Sequence, residues 1–387
     1  MNLFRRFFTK PLRGILGFVM LAIAVLLALL TVLSAYGGMF DPDRFVEGSI
    51  LAMLLPGVIW IDVIAILVCL FACKRGAVLI LFSWLVCLPP ILSFSPFNLP
   101  KKLTPAEEQR AFTVLTYNAL QLTDFRGDVP GLTQNATLDY ILSTDADIVA
   151  LQEIKSWNLV PGNKVTDEQK SLLYERYPYN QIDNNAIIGL FSKYPFTVDT
   201  LRPPHDWEYH MQLYTINIRG QEVHYFNVHL QSIGLNDDDK ELYQRVIKNR
   251  PTSERDLKNE YHEVKSQLLA KLGDAFKVRK EQAQYIRHVI DSIGGENWIV
   301  AGDFNDIPSC YAIRTIARDD FNDAYEDAAF GPTITYHANY FYFRIDHVLY
   351  RGDFKAEQIQ RGKVESSDHY PLLTTFVFNK DVPLNTP

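Results

Sequence analysis

Four short apolar runs in this 387-residue chain end on side chains that can hold a metal or move a proton. VLTYN ends on Asn118, IVALQE on Glu153, YFNVH on His229, and WIVAGDFN on Asp303 and Asn305. Two further segments carry Asp-His pairs: Asp346-His347 in RIDHVLY and Asp368-His369 in SSDHYPL. Runs of this length and composition read as buried strands, so these groups stand at strand ends. Such ends can converge on one rim of a sheet, where ligand sites concentrate. Carboxylates gathered there without matching bases repel one another, and a hard divalent cation is their natural neutraliser. Oxygen donors from Glu, Asp and Asn select Mg²⁺ or Mn²⁺ rather than Zn²⁺. Taken singly, each residue also fits a solvated strand end, a helix cap or a hydrogen-bonded half-core histidine. GDFND at 302–306 is sharper: the glycine permits a tight exit, and Asp303 and Asn305, two apart, point the same way. No HExxH, paired CxxC, phosphate-binding P-loop or GxSxG motif offers competing chemistry.

The positioning elements follow from periodicity. Strand-like runs occur at 112–117, 148–152, 186–192, 212–218, 223–230, 298–304, 345–350 and 372–378. Helical patterns lie between them: 137–143, a segment opened by the capping box at Thr166, and a long charged stretch 237–293. The last ends on Ala283, Ile286, Ile290 and Ile293, one apolar stripe. Strands alternating with helices give a sheet-cored α/β domain, large enough for a full core.

The first hundred residues differ in kind. They hold seven basic and four acidic side chains, whereas the remainder holds 31 basic and 41 acidic. An acidic domain argues against a protein built mainly to clamp a nucleic-acid backbone. Apolar runs at 14–36, 50–73 and 76–94 are each long enough for a transmembrane helix. Arg5, Arg6, Lys10 and Arg13 precede the first run, Lys74 and Arg75 separate the second from the third, and the first loop carries Asp41, Asp43 and Glu47. The positive-inside rule puts the N-terminus in the cytoplasm and the acidic domain outside it. The expected organisation is a three-helix anchor over 1–94, a Pro-rich linker over 95–110 and a catalytic domain over 111–387. Asp62 lies mid-span, where a carboxylate either serves function or bonds a neighbouring helix. Cys69, Cys73 and Cys87 are in the spans, which leaves Cys310 alone outside them.

In their order along the chain, these motifs resemble the endonuclease/exonuclease/phosphatase superfamily, which is deoxyribonuclease I-like. The likeness runs from Thr113 to about Phe378. It rests on Asn118 in TYNAL, Glu153 in LQE, Gly189–Pro195, His229, the GDFN pair Asp303 and Asn305, Asp346, and Asp368-His369 in SDHYP. The resemblance implies a four-layer α/β sandwich, here preceded by three transmembrane helices, and metal-assisted hydrolysis of a phosphoester. It implies that Glu153 anchors Mg²⁺ or Mn²⁺ with Asn118 and Asp368, and that His369, oriented by Asp346, acts as general base. His229 and Asn305 then hold phosphoryl oxygens, and Asp303 positions the water or shares the metal. Where sphingomyelinases tend to carry a second His or an acidic run after the strand-end His, this chain has Gln231. A lipid head group or small phosphoester is the expected substrate, with the bilayer a partner through residues 14–94. The alternatives are an anchored nuclease and a catalytically dead scaffold. A nuclease needs a basic groove, for which Arg245, Lys248, Arg250, Lys277, Arg279 and Lys280 are available; the plainer expectation for them is a solvated helix face.

Overall fold

A computed structural model describes residues 10–203, 210–234, 254–338 and 341–380, with side chains left aside at 10–13 and 254–266. The N-terminal block comprises α1 (Lys10–Tyr36), the short α2 (Val46–Ala52), α3 (Leu55–Ala72), α4 (Lys74–Val86) and α5 (Leu88–Phe94). Among the described residues two helices are long and apolar enough to cross a membrane, Gly14–Met39 and Leu55–Ala72. The expected third span is broken: α4 and α5 meet at a 72° bend. Pro89 and Pro90 follow that bend directly, at the start of α5, where the missing proline N–H groups are tolerated. The expected second span is also interrupted, because the chain turns between α2 and α3. Ala24, Cys69, Ala77 and Ile80 form the contact between helices, while Phe18, Trp60, Phe71 and Leu85 point outward, each two-thirds or more exposed. Small residues inside and large apolar ones outside suit lipid rather than water. Asp62 is buried and accepts hydrogen bonds from Thr31 Oγ1 at 2.7 Å and Trp84 Nε1 at 2.8 Å, so it ties α3 to α1 and α4.

Beyond this block come α6 (Pro105–Arg110), β1 (Ala111–Asn118), α7 (Ala136–Thr144), β2 (Ile148–Gln152), α8 (Asp167–Arg176), β3 (Tyr179–Asp183) and β4 (Ile188–Ser192). The chain continues through β5 (Phe196–Asp199), β6 (Met211–Ile218), β7 (Gln221–His229), α9 (Glu254–Ile293) and β8 (Trp298–Asp303). It ends with α10 (Tyr311–Ala317), β9 (Asn322–Asp323), α11 (Ala324–Ala328), β10 (Asp346–Arg351), β11 (Phe354–Arg361) and β12 (Leu372–Phe378). The strands form two six-stranded sheets, ordered β11-β12-β1-β2-β4-β3 and β5-β6-β7-β8-β10-β9. Their inner faces share one core, with Val114, Ala150, Tyr214, Tyr225, Ile299, Val348 and Phe376 among its members. Outside each sheet a second apolar layer packs against helices: α7 and α8 on the first sheet, α9 and α10 on the second. This is the expected α/β sandwich.

The capping box at Thr166 is present, and a second at Thr104 opens α6 inside the expected linker. On α9, Ala283, Ile286 and Ile290 are buried, but Ile293 is 45% exposed, so the stripe ends one residue earlier than expected. The basic residues correct the solvated-face expectation. Arg279 is buried against Asp306, and Lys280 reaches Asp41 and Asp43 of the first loop at 2.6 Å each. Lys277 is exposed, while Arg245, Lys248 and Arg250 fall outside the described residues.

Candidate active site

Strand register brings the site together. In the second sheet β7 runs parallel to β8 with His229 beside Asp303, and β10 runs antiparallel with Asp346 beside Asp303. In the first sheet β1 and β2 are parallel and pair Asn118 with Gln152, so Glu153 leaves the sheet at the same end. Asn118 joins the two sheets: its Nδ2 donates to Glu153 Oε1 and to Asp303 Oδ2, both at 3.0 Å. Its Oδ1 accepts the N–H of Leu120 at 3.2 Å. Asn118 acts here as a donor between two carboxylates, with its oxygen turned to the backbone.

His369 Nδ1 donates to Asp346 Oδ2 at 2.9 Å, and its Nε2 lies 3.4 Å from Asp303 Oδ2. Both carboxylates and the imidazole are buried. Burial alone would push the His369 pKa down; Asp346, Asp303 and Asp368 outweigh it and hold it up at about 10. Asp368 is raised by burial, with Glu153 and Asp303 adding to the effect against the opposing pull of His369. His229 Nε2 stands 3.8 Å from Glu153 Oε1 and 3.6 Å from Asp303 Oδ2, and its buried Nδ1 has no hydrogen-bond partner among the described residues. Asn305 donates its N–H to Asp303 Oδ1 at 2.8 Å and its Nδ2–H to Leu230 O at 2.9 Å, which stitches β8 to the end of β7. Every sequence-predicted site residue except Asn118 and Asp346 lines one cavity of about 290 Å³, and those two are bonded to residues that do.

Local backbone geometry aims these groups. Glu153 and Asn305 adopt left-handed φ values of 49° and 50°, an uncommon state for a glutamate that turns its side chain out of the strand line. Gly302 has φ +145°, and a Cβ there would lie 1.9 Å from Val228 O, so the parallel strands approach closely only through glycine. Asp346 is anchored by Thr335 Oγ1, which accepts the N–H groups of Ile345 and Asp346 at 3.0 Å. His347, next along β10, faces away. It donates from Nε2 to Asp306 O at 2.9 Å and accepts from Arg344 at Nδ1, which makes it structural.

Several supporting residues were not legible beforehand. Gln152 Nε2 donates to Asn227 Oδ1 at 2.6 Å, and Asn227 Nδ2 donates to Leu151 O and Gly189 O, forming a buried bridge between sheets below the site. Ser367 Oγ donates to Asn118 O at 2.7 Å and accepts the N–H of His369 at 3.2 Å. The available signal was position: Asn227 is two residues from His229 and Ser367 two from His369, the spacing that shares one face of an extended chain.

The donor set fits a hard divalent cation. Glu153, Asp303 and Asp368 line one cavity, and burial raises Asp368, with the other two carboxylates adding to the effect. Among the described residues the group whose ligand atoms lie within 4.8 Å of one another is Asp303, Asp346 and His369, but there Asp346 and the imidazole are already engaged with each other.

Residues 17–94 match the model of a Domain of unknown function (DUF8431). No curated protein matches the chain. Solved structures with a similar arrangement include an endonuclease/exonuclease/phosphatase family protein from Bacteroides thetaiotaomicron. It is 18% identical, with 69% of this chain and 98% of that one covered and a TM-score of 0.43. A mannosyl-6-phosphatase from the same organism is 17% identical, with 69% and 100% covered and a TM-score of 0.44. Sphingomyelinase C from Streptomyces griseocarneus is 17% identical, with 68% and 99% covered and a TM-score of 0.40. Residues 115–369 match the model of the Endonuclease/Exonuclease/phosphatase family, two-thirds of the chain including every strand-end motif, and the chain belongs to that family.

Proposed function

We propose that this chain is a divalent-cation-dependent phosphoester hydrolase, using Mg²⁺ or Mn²⁺, that acts beside a membrane on lipid head groups or small phosphoesters. The supporting observation is the buried His369–Asp346 pair set against Asp303, which Asn118 links to Glu153. Glu153 and Asp368, with Asp303 beside them, would hold the cation. A bound cation supplies Lewis-acid polarisation of a phosphoryl oxygen and offsets the charge that develops there. Asp346 fixes the His369 tautomer and stabilises its imidazolium, and with a cation offsetting the carboxylates that keep His369 protonated, Nε2 would be free to take the proton of the reacting water. His229 and the second amide hydrogen of Asn305 face the cavity and bind phosphoryl oxygens; His229 also delivers a proton to the leaving group.

The same contacts support a location outside the cytoplasm. Lys280 of α9 bonds Asp41 and Asp43, which supports a catalytic domain on the side of the first loop, away from Lys74 and Arg75. The positive-inside rule assigns that pair to the cytoplasm. The chain must then cross once more through α4 and α5, bend included. The nuclease alternative has less support, because Arg279 and Lys280 are committed to Asp306, Asp41 and Asp43.

The test uses the full chain in nanodiscs with Mg²⁺, presented with bis(p-nitrophenyl) phosphate, alkyl phosphates, sphingomyelin, phosphoinositides and plasmid DNA. Hydrolysis of phosphoesters that EDTA and His369→Ala both abolish is expected. Nicking of plasmid DNA alone would move the assignment to the nuclease, and no hydrolysis at all would reject an enzyme.

A further inference from the structure

The cavity that holds the acidic and imidazole groups has a second character. Met53, Leu272, Phe276, Ile307, Phe343 and Ile345 line it as well. Leu272, Phe276, Ile307 and Ile345 are buried, while Met53 and Phe343 are partly open. A phosphoester whose remaining part is a sugar or a nucleoside would set hydroxyls against these six side chains, which offer no hydrogen-bond partners, while Arg279 and Asp306 in the same lining are paired with each other. Five of the six residues belong to the catalytic domain, but Met53 follows α2 in the N-terminal block. It packs in one cluster with Ala52, Ile307, Cys310 and Ile345.

The docking of α2 is specific. Gly38 lies so close to Ala52 and Cys310 that a Cβ there would meet them at 3.1 and 3.5 Å. Gly273 of α9 likewise faces Val46 of α2, with a Cβ contact of 3.3 Å. Lys280 clamps the preceding loop through Asp41 and Asp43. Immediately after Met53, Leu54 is 51% exposed and leads into the candidate span Leu55–Ala72. The apolar lining of the cavity thus includes a residue, Met53, that stands two positions before the candidate span Leu55–Ala72.

We propose that the N-terminal block is part of the substrate site rather than only a tether: Met53 and α2 complete an apolar wall that takes the alkyl chain of a phosphoester lipid. This rests on the hydrolase reading and adds the substrate class to it. Methionine suits such a wall, because its unbranched side chain adapts to chains of different shape.

The test compares methyl, butyl and octyl p-nitrophenyl phosphate, together with the matching alkyl phosphates, on the full chain in nanodiscs. Complete burial of a methylene is worth about fourfold in binding, so kcat/KM should rise at least about a hundredfold from methyl to octyl. Partitioning of octyl esters into the disc would raise rates for every variant alike, so the decisive readout is the octyl-to-methyl ratio in wall variants. Met53→Asp should lower that ratio tenfold or more, mainly through KM, and Met53→Leu should preserve it. Leu272→Trp, which fills the wall without adding charge, should lower it as well and guards against a folding defect in the aspartate variant. A ratio within twofold of wild type in both Met53→Asp and Leu272→Trp overturns the proposal while leaving the hydrolase reading intact. Absence of hydrolysis of every ester and alkyl phosphate overturns both.

Discussion

Replacing Asp346 with Asn isolates the pair on which the proposed chemistry turns. The Asp346 carboxylate lies 2.9 Å from His369 Nδ1. At an effective dielectric of about 20 this attraction is about 6 kcal/mol, enough by itself to lift an imidazole by several pH units. Burial pushes His369 the other way, and Asp303 and Asp368 add to the upward pull that holds it at about 10. In Asp346→Asn only the latter two oppose burial, so His369 should titrate at or below the ordinary histidine range. The tautomer also loses its anchor, because an amide can donate to Nδ1 as readily as accept from it. The expected loss in kcat is about 10²- to 10⁴-fold with little change in KM. Stability gives an independent readout. A histidine whose pKa rises on folding contributes in full below its unfolded value near 6.5 and loses that contribution as pH climbs through its folded value near 10. The EDTA-treated wild type should therefore melt at progressively lower temperature from pH 6.5 to 10, and Asp346→Asn should lack that part of the slope. A variant that keeps more than a tenth of wild-type kcat, or a wild-type His369 that titrates near 6.5 without cation, would refute the reasoning.

Three further perturbations are specific. Glu153→Gln removes the carboxylate that Asn118 aims into the cavity, so the Mg²⁺ concentration for half-maximal rate should rise more than about a hundredfold, read by metal titration. Gly302→Ala forces a Cβ against Val228 O and a φ that alanine rarely adopts, so it should cost at least about 3 kcal/mol, seen as a lower melting temperature or loss of folded protein. Arg279→Met leaves the buried Asp306 carboxylate unpaired at a cost of about 3–5 kcal/mol, and adding Asp306→Leu should recover most of it in a thermal melt.

The strand-end residues were legible because their signal is local. Each follows an apolar run, and a buried strand has only one way to finish at a rim. Asn118, Glu153, His229 and Asp303 therefore stood out before any geometry was known, and the parallel pairings of β1 with β2 and β7 with β8 bring them level; His369 ends no such run and stood out only through its Asp-His motif. Strands without such runs were missed. β3 reads Tyr-Asn-Gln-Ile-Asp and lies at the edge of its sheet, half open to solvent, so no apolar run marks it. β11 alternates buried and open positions only as far as a register shift between Ala356 and Gln358, which breaks the period. The orientation of Asn118 was not legible either, since which end of an amide faces a carboxylate depends on the Leu120 N–H that occupies the other end.

The apolar wall escaped sequence reading for a different reason. Its residues come from positions 53, 272, 276, 307, 343 and 345, and nothing in their local patterns distinguishes them from ordinary core. Leu272 and Phe276 lie in the long charged stretch 237–293, and Met53 lies in a segment expected to be plain membrane span. Hydrophobic periodicity tells which side chains leave water, but not whether they leave it for another side chain or for a ligand. The charges around the wall carry the missing information. Arg279 is buried beside Asp306 at the cavity edge, and Lys280 reaches out to the first loop, so two neighbours on one helix serve opposite ends of a single joint. A solvated helix face has no use for that arrangement. It fits a helix that seats the N-terminal block against the cavity, and under the proposed lipid specificity that join is where substrate choice would be decided.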